Sequence, residues 1–292
     1  MAEAPAAGPA ASREEEITPA DRFSPALAVY FAAVHVGAVA AFAYFSWTNL
    51  AVMLLLYVMT GLGVTVGYHR LLAHRSFRVP PWLEYTLATS GVIALQGSPT
   101  TWVSDHRQHH FHSDRDHDPH DINRGLLYAH MGWIFFERPR EAEHRRKLRM
   151  ARDLMADPYY RWLDRYHYVP GLAVGAALLL IGGLPLFLWG FCLRLVVLYH
   201  STWLVNSAAH AWGYRNFEDA KGANNWLVAL LAFGEGWHNN HHARPGSARH
   251  GMRRWEVDVS WWLIATLRRL GLARDVAVSH LETRARGPLA RA

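Results

Sequence analysis

Histidines carry the chemistry open to this chain. Within its 292 residues they recur as HRLLAH at 69–74, HRQHH at 106–110, NSAAH at 206–210 and HNNHH at 238–242. These stretches supply nine imidazoles, those of His69, His74, His106, His109, His110, His210, His238, His241 and His242, and they place Asn206 four residues ahead of His210. Residues three and four apart share one face of a helix. His106, His109 and His110 can therefore point the same way, as can His238, His241 and His242, and Asn206 with His210. His69 and His74 are five apart, roughly 140° around an ideal helix. They can share an ion only where the helix unwinds or the ion sits across that face.

Neutral imidazole is the commonest protein metal ligand, and nitrogen donors suit iron, copper, zinc or nickel. One ion takes roughly four to six ligands, so nine imidazoles ask for two metals. Residues i and i+4 lie nearly over one another, so each such pair is assigned to one ion. His106 and His110 go with His69, His74 and His241; His238 and His242 go with His109 and His210. Asn206 is expected to hold a water at the four-histidine ion. Zinc hydrolysis of the HExxH type would bring a glutamate base, and a 2-His-1-carboxylate site would bring an acid among the ligands; neither pattern is present. A membrane transporter would carry ionisable groups midway along several spans, whereas these histidines cluster at the ends of apolar segments. Oxygen chemistry at a metal pair is the remaining reading, with a metal-binding transporter as the alternative from another class. The single cysteine, Cys192, lies in an apolar run and excludes a disulfide or cysteine–zinc framework.

The elements that must position these groups follow from hydropathy. The chain is 51% hydrophobic with a net charge of +6, but apolar and charged stretches are segregated. Segments of about 25–47, 49–67, 168–186 and 187–208 are apolar and near the length a bilayer needs. They predict an all-α integral membrane protein of four transmembrane helices in two hairpins, carrying a helical cap of 68–167 and 209–272. Within the cap, 82–96 reads as a surface-lying or partly inserted helix, and 255–272 as an amphipathic helix. His35 and Arg194 fall inside spans and are expected to pack against protein. Residues 1–22, rich in Ala, Pro and Glu, read as a disordered tail with no secretory signal, and 273–292 as a second tail. Fifteen Lys/Arg lie in 68–167 and twelve in 200–292, and neither hairpin turn has any. The positive-inside rule then puts the cap, all histidine boxes and both termini in the cytoplasm. No nucleic-acid-binding signature accompanies the basic balance.

The stretches GYHRLLAHRSF, WVSDHRQHHFHSDRDHDPH, TWLVNSAAHAWGYR and GEGWHNNHH, spread from about Tyr57 to His242, resemble the membrane fatty acyl desaturases, specifically their acyl-CoA (stearoyl-type) branch. The resemblance implies two irons, O2 and two electrons, used to remove hydrogens from adjacent methylenes of a saturated acyl chain. The chain is expected to be carried as acyl-CoA, with acyl-lipid as the alternative, and to receive a cis double bond usually between carbons 9 and 10. A fatty acid hydroxylase would keep the metals and change the outcome. No His-Pro-Gly-Gly heme-binding motif occurs, so the electron donor is expected to be a separate ferredoxin, rubredoxin or cytochrome with its reductase. The short, Arg- and Ala-rich ends suggest a bacterial source.

The family residues that flank the bent acyl chain match Gln96, Trp102 and Thr202. In the family the deep end of the second span forms the tunnel floor. At 1.5 Å per residue, Gly61 and Tyr57 lie about 12 and 18 Å from His69, with Gly61 leaving room and the Tyr57 ring closing the end. Asp105 and Arg107 bracket the second box at the expected mouth, where Arg107, Arg115 and Arg124 are candidates for binding head-group phosphates. His117 and His120 are expected beside the metals or at the mouth, and Glu235 as an orienting partner of a ligand histidine. His112, His130, His144, His167, His200, His250 and His280 lack paired spacing and read as surface or packing residues.

Overall fold

The computed structural model describes residues 20–281. Their regular elements are helices apart from one short strand pair, β1 (Arg22–Phe23) with β2 (Phe136–Glu137), which ties the start of the first helix to the charged part of the chain. The first helix, α1 (Pro25–Ala41), opens on a proline, whose fixed φ suits a first helical position. A 3-10 turn at Phe42–Tyr44 leads to α2 (Trp47–Leu62), capped by the Ser46 hydroxyl accepting from the Asn49 N–H. This helix continues without interruption as a π-helix over Gly63–Ala73.

The charged part follows. It contains α3 (Pro81–Val92), α4 (Pro99–His112) and α5 (Leu126–His130). Three more helices come next: α6 (Arg140–Met150), α7 (Arg152–Ala156) and α8 (Pro158–Tyr166). The chain then turns apolar in α9 (Tyr168–Phe187), a π turn at Leu188–Leu193, α10 (Arg194–Asn206) and α11 (Ala208–Ala211). It ends in α12 (Trp226–Leu231), α13 (His238–Ala243) and α14 (Val259–Arg269).

Among the described residues, three helical segments are long and apolar enough to cross a membrane: Pro25–Tyr44, Trp47–Ala73 and Tyr168–Ala211. The third has 44 residues, about 66 Å if straight. It is not straight. Gly183 has φ 65° and breaks the helix, with Pro185 just beyond. The two arms then pack on each other, Gly175 against Phe191 and Leu178 against Gly190. The bend and the Phe42–Ser46 turn meet at Trp189, whose indole donates to the Ala41 carbonyl (2.8 Å) and packs on Phe42 and Phe45. Val36, Val39, Leu55, Leu180 and Ile181 stand exposed around these helices. An apolar surface of this extent calls for a lipid cover. Arg194 turns inward, fully buried, and donates to the carbonyls of Gly190 and Ile93.

Several expectations need correction. The second apolar segment does not stop at 67 but stays helical to Ala73, because its last turns are buried against α3. There Gly63 and Gly91 bring two backbones together; a Cβ on Gly63 would lie 2.3 Å from the Gly91 nitrogen. Helix α3 is therefore a packed element, with Leu83, Leu87, Ala88 and Val92 buried, and only residues such as Trp82 are exposed. Residues from 273 do not begin a tail: Arg274 bridges to Arg78, and Ala277 pairs with Ser76 and Ala248. The expected tails at 1–19 and 282–292 lie outside the described residues. His130 and His200, expected as surface or packing residues, join His35 in a packed chain: His35 Nε2 to His200 Nε2 at 3.1 Å, and His200 Nδ1 to His130 Nε2 at 2.9 Å.

Candidate metal centre

The π-helix decides how the first histidine box works. A π-helix bonds i to i+5, and the His74 N–H donates to the His69 carbonyl at 3.1 Å. The wider turn brings residues five apart onto one face, so the two imidazole rings lie 4.9 Å apart. Helix α4 presents His106, His109 and His110, α11 presents His210, and the short α13 presents His238, His241 and His242.

The nine imidazoles separate into two groups. One comprises His69, His74, His106, His110 and His241; the other His109, His210, His238 and His242, with the ligating atoms of each group within 4.8 Å of one another. Each i, i+4 pair, His106 with His110 and His238 with His242, stays within one group. Within them Nε2 atoms face Nε2 atoms: His74 and His106 at 2.7 Å, His69 and His241 at 3.1 Å, His210 and His238 at 2.9 Å, His238 and His242 at 2.9 Å. Burial, before anything else, pushes the pKa of His106, His109, His238, His241 and His242 well down, and that of His110 to about 3. These rings are neutral.

Carboxylates fix the tautomers. Glu235 Oε2 sits 2.6 Å from His69 Nδ1, Asp118 2.9 Å from His109 Nδ1, and Asp114 2.8 Å from His210 Nδ1. A ring that donates from Nδ1 leaves only a lone pair on Nε2. Buried lone pairs aimed at one another are unfavourable unless a cation sits among them, so the donor sets fit two metal ions. The carboxylate–histidine pairs are the outer support such ligands ordinarily have.

Glu235 is itself held from behind. Arg70, fully buried, donates to Glu235 and Asp258, and Asp258 caps α14 through the Trp261 N–H. Burial pushes the Glu235 carboxyl up, but His69, Arg70 and His250 outweigh it and hold it well below the usual range. His250, expected to be a surface or packing residue, is buried with its ring 4.4 Å from His241 and Nδ1 3.3 Å from Glu235. Its distance from every box hid it. Asp114 and Asp118 were hidden differently, inside the acidic run that follows the second box. His120 lies against His109, ring to ring at 4.2 Å, while His117 is exposed beside His112. The Asn206 side chain makes no hydrogen bond among the described residues.

Of the expected substrate contacts, Trp102 stacks on His106 at 5.0 Å and 17°. Gln96 donates to Thr202 at 3.1 Å, joining the segment after α3 to α10. Asp105 does not pair with Arg107 but accepts from Arg146 at 2.7 Å. Arg107 is not free for a head group. Its guanidinium donates to the carbonyls of Leu72, Ala73 and Met150 and to Asp153. Arg124 lies over the Tyr128 ring. Gly61 does not leave open space, because Phe233 fills it: a Cβ at Gly61 would lie 2.1 Å from that ring. Tyr57 packs on the same ring at 5.3 Å, and its hydroxyl donates to the Leu231 carbonyl.

A model of the fatty acid desaturase family matches residues 45–280. The chain is 48% identical over 255 residues to the sn-1 stearoyl-lipid 9-desaturase of Anabaena variabilis, covering 86% of this chain and 93% of that one. It is 46% identical to the sn-2 palmitoyl-lipid 9-desaturase of Nostoc sp. (strain 36), covering 86% and 89%. To the acyl-CoA C20 Delta5-desaturase of Anemone leveillei it is 42% identical, covering 86% and 80%. By the family match and by these identities over most of both chains, this chain belongs to the fatty acid desaturase family.

Proposed function

We propose that this protein is a two-iron, oxygen-dependent desaturase that places a cis double bond between carbons 9 and 10 of a saturated acyl chain. The observation that carries the reading is the pair of half-buried to buried all-histidine sets, five and four, with every carboxylate held outside them. Iron at both sets would supply the oxidising power that an unactivated methylene requires, since it has neither an acidic proton nor a leaving group. The balance is two hydrogens from the chain, O2, two electrons and two protons, giving two waters. The protein's own residues position the substrate. Trp102 forms a wall against His106, and the Gln96–Thr202 bond fixes the place where a chain would bend.

The acyl carrier in this reading is a membrane lipid. Two of the three arginines expected to bind phosphates, Arg107 and Arg124, already have partners, and the two relatives above with 48% and 46% identity act on lipid-linked chains. The bend at Gly183 makes two arms of the third apolar segment, so the reading has four crossings with cap and termini on the cytoplasmic side. The test is expression in a desaturase-deficient host, with chromatography of each lipid class and mass analysis of its fatty acids. A loss of two hydrogens, one from carbon 9 and one from carbon 10, in lipid-bound chains is expected. A gain of one oxygen would mean hydroxylation, and products confined to acyl-CoA would overturn the lipid assignment.

A further inference from the structure

Next in sequence to two of the five histidines lies an open basic depression of about 630 Å³, lined by Arg75, Arg107, Arg149, Arg152 and Asp153. We propose that it is the docking site of an acidic one-electron carrier protein. The inference rests on the desaturase reading above, which needs two electrons per turnover, one from each of two carrier molecules that leave oxidised.

Two lining residues follow ligands directly in the chain, Arg75 after His74 and Arg107 after His106. The surface is thus joined covalently to two of the ligand positions by single peptide steps. The floor is closed to substrate. Arg107 spends its donors on Leu72, Ala73, Met150 and Asp153, sewing the end of the π-helix to α6 and α7. No acyl chain can pass through that seam, whereas an electron can cross it.

The charge suits an acidic partner. Asp153 is engaged by Arg75 and Arg107, while Arg149 and Arg152 are exposed with no carboxylate partner among the described residues. Arg145, exposed one turn before Arg149 on α6, extends the patch. Exposed like charges of this kind steer an oppositely charged protein and set its salt dependence.

The test uses the full-length enzyme in lipid nanodiscs. One reductant is a [2Fe–2S] ferredoxin with its reductase; the other is reduced methyl viologen. Arg149→Glu/Arg152→Glu is expected to raise the KM for ferredoxin by about tenfold or more. It should weaken ferredoxin binding at low salt by a similar factor, flatten the salt dependence, and leave viologen-driven turnover unchanged. Arg149→Lys/Arg152→Lys should keep most of the affinity. Unchanged ferredoxin binding and KM would overturn the proposal. An equal loss with both reductants, or a raised KM for the acyl-lipid instead, would overturn it too and mark the cleft as structural or head-group binding. A parent enzyme that makes no double bond with either reductant removes the desaturase reading and this proposal with it. A parent active with viologen separates the two.

Discussion

Glu235 Oε2 lies 2.6 Å from His69 Nδ1, across 166 positions of sequence, and Arg70, the neighbour of His69, holds the other oxygen of the same carboxylate at 3.1 Å. One acid thus sets the tautomer of a ligand, while the next residue along sets the acid. Glu235→Gln keeps the shape and removes the charge. The amide can offer its NH2 to His69 Nδ1, which favours the wrong tautomer. Iron affinity is expected to fall by about 10- to 100-fold, read as iron per chain after dialysis against graded chelator. Full retention of iron would show that His69 needs no such partner.

His238 belongs to the four-member group and touches both His210 and His242 at 2.9 Å. His238→Ala leaves three imidazoles there and all five in the other set. The expected result is about one iron per chain instead of two, with no desaturation and a circular dichroism spectrum like the parent's. Loss of both metals would mean that the sets bind as one unit.

Part of this site is legible in the sequence. Helix spacing alone sorted His106 with His110 and His238 with His242. The contribution of the first box was not legible, because five-residue spacing is useless on an ideal helix and hydropathy does not distinguish a π-helix from an α-helix. The break at Gly183 falls in a Gly182–Gly183–Leu184–Pro185 run, a composition that interrupts a helix. The role of Arg107 was misread for a general reason. A charged residue beside a ligand looks available in sequence, and only packing reveals three backbone carbonyls and Asp153 waiting for it. His250 and the carboxylates of Asp114 and Asp118 depend on long-range approach, which no local pattern encodes.

Acid should dismantle the site in a definite window. Burial first, and then the Arg70 charge, push His250 down to about 4. Its unfolded value is roughly 6.5. A group depressed in this way is neutral when folded and takes a proton more readily when unfolded. Its contribution is complete above about pH 6.5 and is lost as pH falls from there toward about 4. For His250 alone the loss at pH 5 is roughly 2 kcal/mol, and the depressed ligand histidines act in the same direction. Metal-stripped protein is expected to melt at steadily lower temperature between pH 7 and pH 5. A flat profile would mean that these imidazoles are not buried neutral groups.

The last prediction concerns acyl chain length and moves the decisive residue from Gly61 to Phe233. That ring occupies the space beside Gly61 and lies 5.3 Å from Tyr57. Phe233 also holds φ +54°, a conformation costly for a residue with a Cβ, followed by Gly234 at φ +110°. The strained turn aims the ring at the second apolar helix. Gly61→Phe should therefore fail by collision with Phe233 and destabilise the protein, rather than merely shorten the preferred chain. Phe233→Ala removes the plug at a cost of about 3–5 kcal/mol, as for other buried aromatic truncations. It should shift preference toward longer chains, and Phe233→Leu should fall between it and the parent at a smaller cost in stability. Feeding 14- to 20-carbon substrates to the three proteins and comparing products checks this. An identical chain preference in all three would remove Phe233 from the end of the acyl channel and leave its ring as packing for Gly61 and Tyr57.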